Sequence, residues 1–225
     1  MAIFYVVATP IGNLDDFSIR AISALNSSDI ILAEDTRVTH VLLSKYGIDK
    51  PMLSYHQHSK VKKIKEIIGL LKEGKTLSLV SDAGTPGIND PGSYLIQEVL
   101  KEIPELRMVP IPGPNAAIAA LSISGFPSDK FVFLGFPPHK KGRQTFFKRI
   151  GEIEETTVFY ESKHRTLKAL QELKELSVIE ERPIVVAREL TKQFETIYRG
   201  TVTEVLEELN KTKVLGEFIV VVKAK

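Results

Sequence analysis

The sequence predicts an α/β chain in two parts, the first built on a parallel sheet. Three observations carry that expectation. Short apolar, β-leaning runs alternate with amphipathic helical patterns through the first half, the βαβα order that places helices on both faces of a parallel sheet. Most of these runs stop abruptly in Gly/Pro-rich or charged segments, so polar chemistry gathers at strand ends, where open α/β sheets bind ligands. A turn-rich break, Gly125-Phe126-Pro127-Ser128-Asp129, then precedes a second series of strands and helices.

The elements follow in order. Ile3 to Ala8 is a buried strand, and Thr9 to Asp16 is a turn-rich loop before a helix that carries Ile19, Ala21, Ile22 and Leu25 at helical spacing. Asp29 to Ala33 is the next strand; it ends on Glu34-Asp35-Thr36-Arg37, ahead of the helix of Val41, Leu42 and Leu43. Met52 to Tyr55 is a further strand candidate, followed by His56-Gln57-His58. Lys60 to Glu73 is an amphipathic helix with Ile64, Ile67, Ile68 and Leu71 on its apolar face and its lysines solvated.

Thr76 to Val80 is a buried strand halted at Ser81-Asp82. Gly84, Pro86, Gly87, Pro91 and Gly92 then form a loop that neither a strand nor a helix can traverse, and Ser93 opens the helix of Leu95, Ile96 and Val99. Connections of this kind usually run roughly 2–6 residues, so the length of this one points to function. Its glycines admit close approach of a ligand, and its prolines stiffen it. Arg107 to Ile111 leads through Pro112-Gly113-Pro114-Asn115 into the small-residue helix Ala116 to Leu121.

Beyond the break, strands are predicted over Lys130 to Phe136, Thr156 to Tyr160, Pro183 to Ala187, Thr196 to Gly200 and Phe218 to Val222. Helices fall between them, over Gln144 to Ile150, Thr166 to Leu176 and Val202 to Leu209.

At 225 residues, 43% hydrophobic and 26% charged, the chain can bury a sizeable core. It has no cysteine, which excludes disulfides, thiol catalysis and cysteine-ligated zinc. A net charge of +2 is not that of a polycation, so any RNA contact needs a local patch. The N-terminal apolar run is too short for a signal peptide or a spanning helix and reads as the first strand of a cytoplasmic protein. Neither GxGxxG nor GxxxxGK[ST] occurs, which disfavours a standard dinucleotide fold and a Walker loop. The histidines are scattered; His56 and His58 lack an adjacent carboxylate, so no metal is expected.

Asp82 either hydrogen-bonds a ribose or an ammonium group, or caps the next turn. Glu34, Asp35, Thr36 and Arg37 either cap a helix and form a surface pair, or line a cleft and orient a reacting hydroxyl. His139-Lys140-Lys141-Gly142-Arg143 is a basic loop of the kind that grips phosphates, or simply a solvated run. Because at least three first-half strands end in loops that would converge on one sheet edge, a small organic cofactor is the expected ligand.

Together these stretches resemble one family, the ribosomal RNA branch of the tetrapyrrole methylase superfamily. The matching segments are VATPIGNLDD (6–15), AEDTR (33–37), LVSDAGTPGINDPG (79–92) and PIPGPNA (110–116), then GF (135–136), KKGR (140–143), YES (160–162), HR (164–165), REL (188–190) and GEF (216–218). The resemblance implies a two-domain class III methyltransferase fold, with a parallel-sheet domain over 1–115 and a mixed-sheet domain over 116–225. It implies S-adenosylmethionine in the cleft between them, a homodimer, and 2′-O-methylation of a cytidine in 16S ribosomal RNA near the decoding centre. The partner is then small-subunit RNA or the 30S subunit, with no role for DNA or a membrane.

By motif position, Pro10 and Ile11 would line the donor site, as would Asp82, Ala83, Gly84, Thr85, Pro86 and Ile88. Pro112, Gly113, Asn115 and Ala116 would join them, and Tyr160, Leu190 and Glu217 would close over the donor from the second half. Thr9-Pro10-Ile11-Gly12-Asn13 stands where tetrapyrrole-modifying relatives have GxGxGD, and Lys163 stands where the RNA branch usually has proline.

The implied chemistry is in-line transfer of methyl from a sulfonium to a ribose oxygen, which needs alignment and loss of the hydroxyl proton. Glu34, Asp35, Glu189 and Lys192 are the candidates to orient or deprotonate the hydroxyl, with Arg37 positioning phosphate. Asp35 or Glu189 is expected to be essential. Lys192 could act as a base only with a lowered pKa. The competing functions are a small-molecule methylase of tetrapyrrole type and a non-catalytic RNA-binding module.

Overall fold

A computed structural model of the chain describes residues 2–56, 61–175, 179 and 181–225. His58, Lys60 and Leu176, which the sequence places in or beside elements, lie outside the described residues. The chain divides into residues 1–115 and 116–225, each carrying its own sheet.

The first unit holds β1 (Ile3–Val7), β2 (Ile30–Ala33), β3 (Met52–Ser54), β4 (Leu77–Leu79) and β5 (Arg107–Ile111). All pairings are parallel, in the order β3-β2-β4-β1-β5. Its helices are α1 (Ile19–Ser27), α2 (Thr36–Lys45), α3 (Val61–Lys72) and α4 (Gly92–Glu102). Alternation along each strand feeds two apolar layers: Ile31 joins Leu25 and Leu43 on one face, while its neighbour Leu32 joins Ile67, Leu77 and Leu95 on the other. Ser18 starts α1 by accepting from the Ala21 N–H, and Asp35 starts α2 by accepting from the Arg37 N–H. A single 3-10 turn at Leu14–Asp16, capped by Asn13, lies within the loop read as turn-rich.

The second unit holds β6 (Phe131–Phe133), β7 (Thr156–Ser162), β8 (Ile184–Arg188), β9 (Thr196–Gly200) and β10 (Glu217–Val222) in the order β6-β7-β10-β8-β9. The sheet is mixed: β6 and β7 are parallel and the remaining pairs antiparallel. Its helices are α5 (Ala116–Ser122), α6 (Arg143–Glu152), α7 (Thr166–Glu175) and α8 (Val202–Asn210), with Thr201 and Glu204 forming a reciprocal cap on α8. Phe147, Phe159, Leu170, Leu173 and Val220 form the core. The Gly125–Asp129 break falls inside this unit because α5 packs on β7 and β10 and buries Ala117, Ala120 and Leu121. Among the described residues no helix is long and apolar enough to cross a membrane.

Candidate functional site

Parallel strands share one carboxyl edge, and in the first unit four of the segments leaving that edge are joined. Thr9 and Gly84 exchange backbone hydrogen bonds of 2.9 and 3.1 Å, and the Thr9 hydroxyl donates to the Ser81 carbonyl at 3.0 Å. The Thr85 hydroxyl donates to the Pro114 carbonyl at 3.3 Å, and the Asp35 N–H donates to Asp82 Oδ1 at 2.9 Å. The exits of β1, β2, β4 and β5 are thus tied across the sheet. Gly84 holds a φ of +80° with the Ile11 side chain 3.6 Å from where a Cβ would stand, so the tie at Thr9 favours glycine there. Asp90 accepts from the Gly87 and Gly92 N–H groups at 2.9 and 2.7 Å and fixes the far end of the loop onto α4.

Two depressions lie along this edge. One, of about 260 Å³, is lined by Pro10, Leu14, Val38, Val41 and Leu42, with Thr9, Ser81 and Asp82 at its polar side. The other, of about 450 Å³, is lined by Glu34, Asn89, Asp90, Pro91 and Ser93. Burial, reinforced by the Asp82 and Asp90 carboxylates, pushes the Glu34 carboxyl up from its ordinary value. Asp35 behaves oppositely. Hydrogen bonds from the Arg37 guanidinium and backbone hold it down at about 2, and its side chain is committed to the α2 cap and to Arg37 Nε at 3.0 Å. Arg37 itself is exposed on that pair.

In the second unit the carboxyl ends of β7 and β8 meet the start of β10, where Glu217 registers opposite Ser162 and Phe218 opposite Arg188. The Lys192 ammonium bridges two carboxylates, Glu189 Oε1 at 3.0 Å and Glu217 Oε2 at 2.9 Å, and Glu189 Oε1 also accepts the Glu217 N–H at 2.8 Å. Burial favours neutral Glu189, but the Glu217 N–H and Lys192 outweigh it and lower its pKa. Burial likewise opposes the charge on Lys192, and the two carboxylates outweigh it and raise its pKa. The condition set for Lys192 to act as a base, a lowered pKa, is not met here: it stays protonated because it is clamped between two anions. Glu189 and Thr191 hold φ values of +51° and +67°, strained for residues with side chains. Gly216, φ +94°, has no room for a Cβ, which would stand 2.5 Å from Glu189 Oε1.

Tyr160 presents its hydroxyl to the Ala117 N–H at 3.2 Å, its ring packed near Phe133 and Phe136. Leu190 is buried beside the strained turn. The nominated residues thus form two clusters. Pro10, Ile11, Glu34, Asp35, Arg37, Asp82 to Ile88, and Pro112 to Asn115 gather on the first unit's edge; Tyr160, Glu189, Leu190, Lys192 and Glu217 belong to the second, with Ala116 opening α5. Asp82 accepts the Asp35 N–H from 47 residues away, so its carboxylate also ties the exit of β4 to that of β2.

Arg143 departs from the phosphate-gripping expectation. It is buried and paired with Glu161 at 3.2 Å and Glu172 at 2.7 Å. Sequence reasoning also passed over Thr9 as a site residue, whose signal is a hydroxyl ending an otherwise apolar strand, and Asp90, whose signal is its place between Gly87 and Gly92 in a turn.

Comparison with known proteins gives a consistent outcome. The family model for tetrapyrrole (corrin/porphyrin) methylases matches residues 4–206. A protein of Thermotoga maritima named ribosomal RNA small subunit methyltransferase I is 46% identical over 98% of this chain and 97% of its own length. Proteins of the same name from Haemophilus influenzae and Bacillus subtilis are 45% and 43% identical, each over 99% of this chain and over 79% and 75% of their own lengths. Among solved structures, a diphthine synthase superposes with a TM-score of 0.73 at 14% identity over 99% of this chain and 90% of its own. A cobalt precorrin-4 methyltransferase superposes with a TM-score of 0.70 at 18% identity over 98% of this chain and 94% of its own.

Proposed function

The chain belongs to the tetrapyrrole methylase family, and from that premise we propose that it methylates the ribose 2′-oxygen of a cytidine in small-subunit ribosomal RNA, near the decoding centre, using S-adenosylmethionine. The RNA target is supported by the printed name of the relatives, and the cytidine 2′-oxygen by the resemblance of the motifs. The homodimer and the cytoplasmic setting belong to the same reading and rest on the resemblance.

One structural observation carries the chemical part: the joined carboxyl edge of the first sheet, with an apolar depression and carboxylates side by side. The fit to the donor is chemical. Pro10, Leu14, Val38 and Val41 offer apolar surface suited to a nucleoside, and Asp82, Glu34 and Asp90 offer negative charge suited to ammonium and sulfonium groups. The ties among Thr9, Gly84, Thr85 and Pro114 fix the loops before anything binds, so little ordering entropy is lost.

When bound, S-adenosylmethionine supplies an electrophilic methyl group on a sulfonium. The chain's own residues then orient the acceptor oxygen and receive its proton. Of the four candidates, Glu34 suits the proton-accepting role, since burial and the Asp82 and Asp90 carboxylates raise its pKa and it faces open space beside Asn89 and Ser93. Asp35 is too weak a base at about 2 and suits orientation of Arg37, which would position phosphate. Glu189 and Lys192 suit positioning, because each is already held by two partners.

The test is transfer of labelled methyl from S-adenosylmethionine to small subunits lacking the modification, with mapping of alkali-resistant positions. A single labelled cytidine supports the reading, and labelling of no RNA refutes it. Stabilisation by the donor reads the cofactor separately, at about 2.7 kcal/mol for a concentration roughly 100 times its dissociation constant.

A further inference from the structure

β6 and β7 run parallel, so the loop that leaves β6 and the turn that leaves β7 emerge at the same edge of the second sheet. A buried ion lattice joins them. Glu161, fully buried near the end of β7, holds Arg143 at 3.2 Å through one oxygen and Arg165 at 2.8 Å through the other. The same guanidinium groups donate back to the β6 loop, Arg165 to the Pro137 carbonyl and Arg143 to the Pro138 carbonyl. Glu172 supplies the second carboxylate, so two arginines and two glutamates balance inside the lattice.

The surface above it is not balanced. His139, Lys140 and Lys141 on the loop and Lys163 and His164 on the turn are all exposed. Among the described residues none of the three lysines has an ion-pair partner. Beside them Phe136 is 50% exposed, its ring braced by Tyr160 at a centroid distance of 5.4 Å.

Uncompensated cations alone bind any polyanion; cations beside a braced, half-exposed aromatic ring are the combination that holds a single strand, backbone on the charges and base on the ring. A duplex keeps its base faces covered and leaves the ring without a partner. We propose that this two-loop surface docks an unpaired stretch of RNA, with Lys140, Lys141 and Lys163 on phosphates and Phe136 stacked on a base. The assignment rests on the RNA substrate proposed above and identifies where the second unit grips it. Arg143, which the basic run would have put on phosphate, and Arg165 shape the surface from beneath.

The experiment measures binding of the full chain to a fluorescent, unstructured RNA of about 12 nucleotides, within the usual span of single-strand sites, across a salt series. Each phosphate contact contributes about 0.7 to the slope of log affinity against log salt. Lys140→Gln/Lys141→Gln/Lys163→Gln is therefore expected to flatten the slope by about 2 and to weaken binding roughly 100-fold at 0.1 M salt. Phe136→Ala is expected to cost roughly ten-fold with the slope unchanged, and Phe136→Trp to restore the affinity. Donor-induced thermal stabilisation, unchanged in the lysine variant, and an unchanged far-ultraviolet circular dichroism spectrum in the Phe136 variants report that each chain is folded.

Wild-type affinity and slope in the triple variant would overturn the proposal even if methyl transfer to small subunits proceeds normally. The expected losses would support it even if wild-type protein transferred no methyl, an outcome that would instead refute the proposed reaction.

Discussion

Gly216→Ala is the perturbation most directly set by the geometry. The added methyl would stand 2.5 Å from Glu189 Oε1 and closer still to the Glu189 carbons, so Glu189 must leave its place. Leaving breaks its charge-assisted bond from the Glu217 N–H, now 2.8 Å, worth about 1.5–3 kcal/mol. It also loosens a partly exposed contact with Lys192, for which little is counted. A side chain at a φ of +94° adds about 1 kcal/mol of backbone strain. The total is about 3 kcal/mol, or a fall in melting temperature of roughly 6–12 °C for a chain of this size. Differential scanning calorimetry of the variant beside Glu189→Ala checks the sum. Because both substitutions vacate the same place, their methyl-transfer rates should fall together, and Gly216→Ala added to Glu189→Ala should cost little more than the strain. A melting temperature within about 1 °C of wild type would refute the reasoning.

Glu161→Gln leaves a buried guanidinium, Arg143, and a partly buried one, Arg165, facing a neutral amide and should destabilise the second unit by about 3 kcal/mol in urea titration; a loss below about 1 kcal/mol would contradict the buried lattice. Thr9→Val removes the buried hydroxyl that donates to Ser81 and should cost about 1–2 kcal/mol while reducing stabilisation by S-adenosylmethionine, read by thermal shift. Asp35 has a folded pKa lowered to about 2, so its contribution is present above its ordinary 3.8 and lost as pH falls through about 2. The melting deficit of Asp35→Ala should therefore be full at neutral pH and close toward pH 2, and a constant deficit would count against the pair. Glu34 carries the opposite sign: its raised pKa makes the folded chain favour the protonated form, a benefit present below 4.5 and lost as pH rises through the raised value. Glu34→Gln should thus melt higher than wild type at pH 7, match it below 4.5, and lose transfer by more than any weakening of donor binding accounts for, with transfer measured at saturating donor.

The elements were legible because short apolar runs such as Ile30 to Ala33 and the helical spacing of Ile64, Ile67, Ile68 and Leu71 are local signals. The loop from Ser81 to Gly92 was equally plain, since no regular element tolerates that run of glycine and proline. What stayed hidden is what requires two distant segments at once. The bridge between Thr9 and Gly84 and the bond from Asp35 to Asp82 leave no mark in either segment alone. Arg143 misled for the same reason: a basic run carries no sign of which member turns inward, and only Glu161 and Glu172 decide it. Gly216 was visible within a motif, but its purpose, making room for Glu189, becomes apparent once β10 lies against the end of β8.

The strand order of the first sheet also sets a schedule for making the protein. β1 sits between β4 and β5, so Phe4 waits for Leu77 on one side and Met108 on the other. A ribosome adding about 5–20 residues per second leaves that strand without its second neighbour for roughly 5–20 s after it is made. During that interval Ile3 to Val7 is an apolar ribbon with at least one edge unsatisfied, and both until β4 is made, the kind of segment that pairs with other nascent chains or calls on a chaperone. Truncation anywhere before β5 would leave the β5-facing edge of that ribbon permanently open. A protein read here as tending the ribosome's RNA would then depend, at the start of its own life, on how quickly that machine delivers residue 111.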